Sequence, residues 1–335
     1  MDPISQATLG AVAAQSNSDS RRLRAAAFLG CVAGIAPDID VFISSRTDPL
    51  LFLEFHRQFT HSLFFIPVGA LICSAVFYIT VRRHLSFKET FWFCLLAYAT
   101  HGLLDACTTY GTQLFWPLSN YRVAWNNVSV IDPLFTLPAL GLVVLATVKA
   151  RARYARLAFA WMMFYLLLGV IQHERAEFAA MKLVQARGHT PVRLEAKPGF
   201  ANLLLWKIVY EHDGAYIVDA IRVGFTTQVY PGAKTKKLDL SHHLPWLDPE
   251  SQQAKDIARF RWFSRDYLAV DPRDPNRIVD MRYSVIPNEI DALWGIRLDP
   301  AASASAHVSY QTSRDASPDR LQKLLRMLAG KPLTN

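Results

Sequence analysis

At 335 residues the chain is long enough for two domains, and its hydrophobic fraction of 51% conceals a split between them. Up to about Gln172 the sequence is a series of apolar runs, and from His173 onward it is mixed, charged and rich in turns. The net charge of +8 does not mark a nucleic-acid partner, because the basic residues form no face or stripe and many sit in short runs between apolar segments.

The opening Met1-Asp2-Pro3 lacks the basic stretch of a cleaved signal peptide, so the first apolar segment is expected to be retained. Two short apolar runs follow, 4–14 and 25–36, each too short to span comfortably and together expected to form a helical hairpin dipping into the protein. Crossing a bilayer takes about 20 mostly apolar residues. Segments 62–81, 130–148 and 154–172 meet that length; 90–107 nearly does, but carries His101 and Asp105. Cys31, Cys73, Cys94 and Cys107 all lie in or beside these runs, with neither disulfide-framework nor zinc-finger spacing, and read as small buried hydrophobes.

The loops set an orientation. Arg21, Arg22, Arg24, Arg82, Arg83, Lys88, Lys149, Arg151, Arg153 and Arg156 fall in alternate loops, against Arg46, Arg57 and Arg122 in the others. The bias of ten against three puts the first set in the cytoplasm. The chain thus reads as mainly α: a polytopic transmembrane helical domain (1–172) of the inner (plasma) membrane, then a small extracytoplasmic α+β domain (173–335). In that second domain 203–211 and 215–223 alternate apolar and polar residues around His212-Asp213-Gly214, predicting a β-hairpin. Strands are expected at 278–285, 293–298 and 306–311, and helices at 173–187, 252–263 and 319–328. His242, His243, Trp206, Trp246, Trp262 and Trp294 read as packing and surface residues, and any protein partner of this domain is left unnamed.

Under this topology Asp38, Asp40, His56, His61, His101, Asp105 and Asp132 all fall at the outer ends of their helices. Ionisable residues at membrane depth are costly and usually functional. His101 and Asp105, four apart, share a helix face; they either bind one metal ion or tie helices together by a hydrogen bond. Asp132 before Pro133 reads as a helix N-cap or as a site member. Mixed imidazoles and carboxylates on one face suit hard or borderline divalent metals.

The pieces Met1-Asp2-Pro3-Ile4, Pro37-Asp38-Ile39-Asp40, His56-Arg57 with Thr60-His61-Ser62, His101-Gly102-Leu103-Leu104-Asp105 with Tyr110-Gly111, and Pro117-Leu118-Ser119 resemble the YdjM-type family, described as membrane-bound metal-dependent hydrolases. The resemblance covers roughly the first 140 residues and implies Asp38, Asp40, His56, His61, His101 and Asp105 as metal-site residues. Where many relatives carry Thr-His near the N-terminus, this chain has Ser5-Gln6, and Gln6 is a poor ligand.

The expected function is hydrolysis at the outer membrane face by a divalent metal, zinc first and manganese second, acting on a membrane lipid or lipid-linked (phospho)ester. Asp40, His61, His101 and Asp105 are the expected ligands, with Asp38 supporting them or bridging to a second ion. His56 is the expected general acid or base, and Arg57 a clamp for phosphate or carboxylate. Within the 110–127 loop, Tyr110, Arg122 and Asn126 are expected at the substrate, whereas Trp116 and Trp125 read as interfacial aromatics. Two alternatives stand beside this reading: ion or substrate translocation through the same residues, and a non-catalytic envelope protein with a structural metal.

Overall fold

The computed structural model describes residues 1–315 and 317–333. They fall into two units: Met1–Ile43 with Phe55–Ile171 and Phe200–Asn202, and Ser44–Glu54 with Gln172–Gly199 and the chain from Leu203 onward.

The first unit is helical, and its helix starts are written in the sequence. The Asp2 carboxylate accepts from the backbone N–H groups of Ile4 and Ser5, and Pro3 takes a first-turn position where its missing N–H costs nothing. Helix α1 (Pro3–Ser16) turns back into α2 (Leu23–Ile35), which runs on through a 3-10 helix, Ala36–Phe42, begun by Pro37. The two helices form the expected hairpin, and glycine makes it close. A Cβ on Gly10 would lie 2.2 Å from the Gly30 carbonyl oxygen, and one on Gly30 would lie 2.5 Å from that of Gly10. A short helix α3 (Leu51–Phe55), which up to Glu54 belongs to the second unit, and 3-10 turns at Phe59–His61 and Leu63–Phe65 precede α4 (Ile66–Val81). Helix α5 (Phe87–Ala106) opens on a capping box between Ser86 and Glu89. Helices α6 (Pro133–Lys149) and α7 (Arg153–Ala186) complete the set, the residues of α7 beyond Ile171 belonging to the second unit.

Among the described residues three helical stretches are long and apolar enough to cross a membrane: Leu23–Phe42, Leu63–Val81 and Arg153–Ala186. The first corrects the expectation for 25–36, because the 3-10 turn after Pro37 extends α2 to 20 residues. The segment 130–148 becomes helical only at Pro133, where Asp132 caps it, and its 17 residues cover about 26 Å. Helix α1, with 14 residues, reaches only about 21 Å, short of a hydrocarbon core of about 30 Å. Alanine, cysteine and aromatic side chains of α2, α4 and α5 fill the interior, including Ala33, Ala70, Cys94 and Phe93. Large apolar side chains point outward instead: Leu71, Ile72, Val76 and Ile79 of α4, Leu137 and Val148 of α6, Leu157, Phe164 and Leu167 of α7. So much apolar surface facing out fits lipid as the surrounding solvent.

The second unit carries two antiparallel sheets. Strands β1 (Arg193–Pro198), β2 (Leu205–His212), β3 (Ala215–Val223) and β4 (Thr227–Tyr230) lie in that order, with β5 (Lys234–Lys236) also paired to β3. After α8 (Leu240–His243) and α9 (Gln252–Phe263), strands β6 (Leu268–Asp271), β7 (Asp274–Asp280), β8 (Trp294–Arg297) and β9 (Ser309–Thr312) form the other sheet, and α10 (Pro318–Leu328) follows. The predicted hairpin is present: Asp213 and Gly214, at φ 49° and 64°, make the two-residue turn between β2 and β3. Its alternation is misleading, however, since β2 is buried on both faces except at His212. One face packs on Ala176, Ala180 and Val184 of α7, the other on Ala269 and Val279 of the second sheet and on Tyr267, which precedes β6. The strand expected at 278–285 lies earlier, at β7, leaving Ser284 a single bridge to Ala292. Strands β1, β4, β5 and β6 were not anticipated, being short or rich in charged residues.

Candidate metal centre

Three local structures converge. The 3-10 helix after α2 presents Asp38 and Asp40, the Phe59–His61 turn presents His61, and the last turns of α5 present His101 and Asp105 on one face. Gly102 makes the approach possible, because a Cβ there would sit 2.2 Å from the carbonyl oxygen of His61.

Asp38, His61, His101 and Asp105 bring one donor atom each within 4.8 Å of the others. Asp38 Oδ1 lies 3.4 Å from both His61 Nε2 and His101 Nε2. Asp105 Oδ2 lies 3.3 Å from His61 Nε2 and 3.8 Å from His101 Nε2, and the two nitrogens are 2.9 Å apart. Ligands held 2.0–2.2 Å from a tetrahedral centre are spaced about 3.3–3.6 Å from one another. The five distances among these atoms, 2.9–3.8 Å, scatter around that range.

The imidazoles are oriented for ligation. His101 Nδ1 donates to the Gly34 carbonyl at 2.6 Å, which leaves Nε2 an acceptor. His61 Nδ1 faces Thr60 Oγ1 at 3.0 Å and Asp40 Oδ2 at 3.2 Å. With both Nδ1 atoms turned to oxygen partners, the two Nε2 atoms meet across 2.9 Å, a contact that a proton on one of them or a cation between them satisfies. Asp105 Oδ2 points the same way: it is buried, and no hydrogen bond satisfies it, although Arg57 Nε stands 3.0 Å away as an ion pair. The donor set and its unsatisfied atoms fit a divalent cation.

Around these donors is a ring of supports. Asp40 Oδ2 accepts from the Arg57 backbone N–H and from Thr60 Oγ1, both at 2.9 Å, and Asp40 Oδ1 meets His56 Nδ1 at 2.8 Å. Gln6 Nε2 donates to Asp105 Oδ1 at 2.9 Å and to the His101 carbonyl at 3.3 Å; the Met1 backbone nitrogen also contacts Asp105 Oδ1. Arg57 Nη1 donates to Thr108 Oγ1 at 3.0 Å, with its guanidinium 4.9 Å from the Tyr110 ring centre. Arg122 stacks on that ring at 5.4 Å and donates to the Gly111 carbonyl at 3.0 Å. The 110–127 loop is pinned to the end of α5 by Trp125 and Asn127, whose N–H groups donate to the carbonyls of Ala106 and Cys107.

Set against the sequence, the structure gathers Asp38, Asp40, His56, His61, His101 and Asp105 but redistributes their places. Asp38 is in the four-donor set and Asp40 stands behind His61, the reverse of the expected order. Arg57 is buried and turned inward to Asp105 and Thr108, so its fork is engaged by protein. Tyr110 and Arg122 lie beside His56; Asn126 is buried on the same loop at φ 56°. Asp132 does not join the cluster: it caps α6 and accepts from the Tyr165 hydroxyl at 2.8 Å. Gln6 and Thr60 are the supports that ligand-based reasoning passed over. The signal for Thr60 was its place beside His61, and for Gln6 its replacement of a ligand-type residue by an amide donor.

The sequence pattern of the YdjM inner membrane protein family matches residues 1–176. Among curated proteins the chain is similar to the uncharacterized protein YfhP of Bacillus subtilis (strain 168), 28% identical over 110 residues. That match covers 33% of this chain and 33% of the relative's own length. No solved structure matches.

Proposed function

Because this chain belongs to the YdjM inner membrane protein family and is a membrane protein with a His/Asp cluster able to hold a metal ion, we propose that it is a polytopic metal-dependent hydrolase. Its substrate is a lipid-linked or amphiphilic phosphoester presented at the outer membrane face. The loop charges support that placement, ten basic residues against three, and put the sheet-bearing domain on the extracytoplasmic side.

The observation that carries the reading is the set of Asp38, His61, His101 and Asp105, whose donor atoms all lie within 4.8 Å of one another. These four residues would hold the ion, zinc by preference for two imidazoles and two carboxylates, or manganese. Bound there, it would supply Lewis acidity toward the scissile group and toward a water molecule. The chain's own residues do the rest. Gly34 and Asp40 hold the imidazoles in the ligating tautomer, and Gln6 and Arg57 fix the Asp105 carboxylate. Asp38, His56 and Tyr110 are the partly exposed members, so substrate approaches from their side. Arg122, stacked on Tyr110, brings positive charge to that approach, and Asn126 closes the same loop.

One feature favours a second reading. Four protein donors around one ion are the architecture of structural zinc, which would brace α2, the Phe59–His61 turn and α5 without chemistry. Elemental analysis of the detergent-purified protein, with turnover of lipid phosphoesters in mixed micelles, separates the two. Stoichiometric metal and turnover, both abolished in His101→Ala and Asp105→Ala, are the expected result. Metal without turnover across ester classes supports the bracing role, and a wild type that takes up neither zinc nor manganese sinks both.

A further inference from the structure

Beside the four-donor set, Asp38, Asp40 and His56 form another group whose ligand atoms lie within 4.8 Å of one another. We infer that this protein binds a second divalent cation at Asp38, Asp40 and His56, joined to the first through the shared Asp38 carboxylate. The inference rests on the metal reading above and replaces the expected role of His56 as a proton carrier with that of a ligand.

The division of labour in the two carboxylates supports it. Asp38 belongs to both groups, and a carboxylate has an oxygen for each of two cations. Asp40 turns Oδ2 toward the Arg57 N–H, Thr60 and His61, and turns Oδ1 toward His56 Nδ1 at 2.8 Å. One carboxylate thereby orients a ligand of the first ion and supplies a donor to the second.

Exposure separates the two groups by function. The side chains of His61, His101 and Asp105 are 0% exposed; in the other group Asp40 is also buried, but His56 is 21% exposed and the shared Asp38 26%. A closed four-donor site next to an open three-donor site matches the difference between structural and catalytic metal sites, the latter keeping a position for water or substrate. The second cation thus supplies an open position beside the first, whose four donors all come from protein.

Charge indicates what the open position takes. Asp38, Asp40 and Asp105 bring three negative charges, set against Arg57 and the Met1 ammonium at Asp105, so one divalent cation already more than cancels the remainder. A second makes the site an excess cation on its exposed side, where Arg122 already lies against His56. The ligand class that fits is an oxyanion, and among esters a phosphate group able to touch both ions, as in two-metal hydrolytic sites with ions about 3.5–4 Å apart.

Manganese titration into metal-free, full-length protein in detergent tests this, read by ions bound per chain and by electron paramagnetic resonance. The expected wild type binds two ions with a spin-coupled spectrum, and His56→Ala binds one with an uncoupled spectrum. Two uncoupled ions, or two coupled ions retained in His56→Ala, overturn the shared site. A wild type that binds one ion overturns the second site and leaves the four-donor centre standing; one that binds none removes both. The wild-type spectrum needs no variant, so a poorly folding His56→Ala does not stall the test.

Discussion

Both units bury carboxylates, and they neutralise them in opposite ways. In the second unit Asp280 is fully buried against Arg282, with Nε to Oδ1 at 2.9 Å and Nη2 to Oδ2 at 2.7 Å, and Trp294 Nε1 adds a bond to Oδ2 at 3.2 Å. Asp219 likewise takes two bonds from Arg187, at 2.6 and 3.0 Å. A guanidinium fork matches a carboxylate in charge and in geometry, so such a pair is complete by itself. In the first unit Asp38 and Asp105 instead face two imidazoles whose Nε2 atoms lie 2.9 Å apart, beside the Arg57–Asp105 ion pair. Burial alone therefore does not identify a site. What identifies it is a convergence of mixed imidazole and carboxylate donors within 4.8 Å of one another.

The strongest way to break that comparison is to remove one carboxylate from each unit. Asp280→Ala strands a buried Arg282 guanidinium and should destabilise the protein by about 3–5 kcal/mol, with metal content unchanged. Asp105→Asn should act first on the metal. It abolishes metal binding, and in chelator-treated protein it costs less stability than Asp280→Ala, because Arg57 loses its ion pair but keeps its bond to Thr108 and a negative charge near Asp38 is removed. Thermal unfolding with and without chelator measures both. If Asp105→Asn costs as much stability without metal as Asp280→Ala does, the first-unit cluster is an ordinary ion-pair network.

A second contrast concerns pH. Lys207 is buried in β2, with its ammonium nitrogen held by Ser284 Oγ and the carbonyls of Pro287 and Glu289. Burial pushes its pKa down to about 7, against the opposing pull of the Asp280 and Glu289 carboxylates. The unfolded chain keeps an ordinary lysine near ~10.4. Between about pH 7 and about pH 10 the unfolded state then holds a proton that the folded state has released, so stability rises with pH across that window. Below about pH 7 both states are protonated and the cost of the buried charge is present in full. The slope from this group is at most about 1.4 kcal/mol per pH unit, and Lys207→Met should flatten it. A wild-type unfolding midpoint that does not move over the window, or a rise that survives in Lys207→Met, would contradict the assignment.

How far the sequence carried these conclusions depended on whether the signal was local. Helix α9 was legible to the residue because Ser251 caps it, and the β2–β3 hairpin because Asp213-Gly214 suits a tight turn. The six His and Asp positions were legible because charge is conspicuous among apolar runs. Their ranking was not. Whether Asp38 or Asp40 reaches the Nε2 atoms of His61 and His101 depends on the 3-10 winding around Pro37, which two carboxylates in Asp-x-Asp do not encode. The same winding lengthens α2 into a candidate span. Strand β1 was hidden for a related reason: Glu195 and Lys197 look solvent-bound in a one-dimensional reading, yet in the fold they pair with each other at 2.7 Å. Ligand types can be read from sequence, but the groups that aim them, such as the Gly34 carbonyl, are placed by tertiary structure.

That distinction between ligands and the groups that aim them yields the smallest predicted effect. Thr60 is nearly buried; its carbonyl accepts from the Tyr98 hydroxyl at 2.9 Å, and its hydroxyl sits between Asp40 Oδ2 at 2.9 Å and His61 Nδ1 at 3.0 Å. Thr60→Val keeps the shape and the backbone bond and removes only the hydroxyl. His61 would still face Asp40, so the ligand set stays intact with one orienting bond fewer. Metal affinity should fall by about 10-fold, the lower end of what losing such support costs. Competition against a chelator of known affinity measures that change. A loss as complete as that of His61→Ala would mean that the hydroxyl itself ligates. No change at all would mean that Asp40 alone fixes the ring, and the aiming of His61 would then reside in the 3-10 helix that carries Asp40.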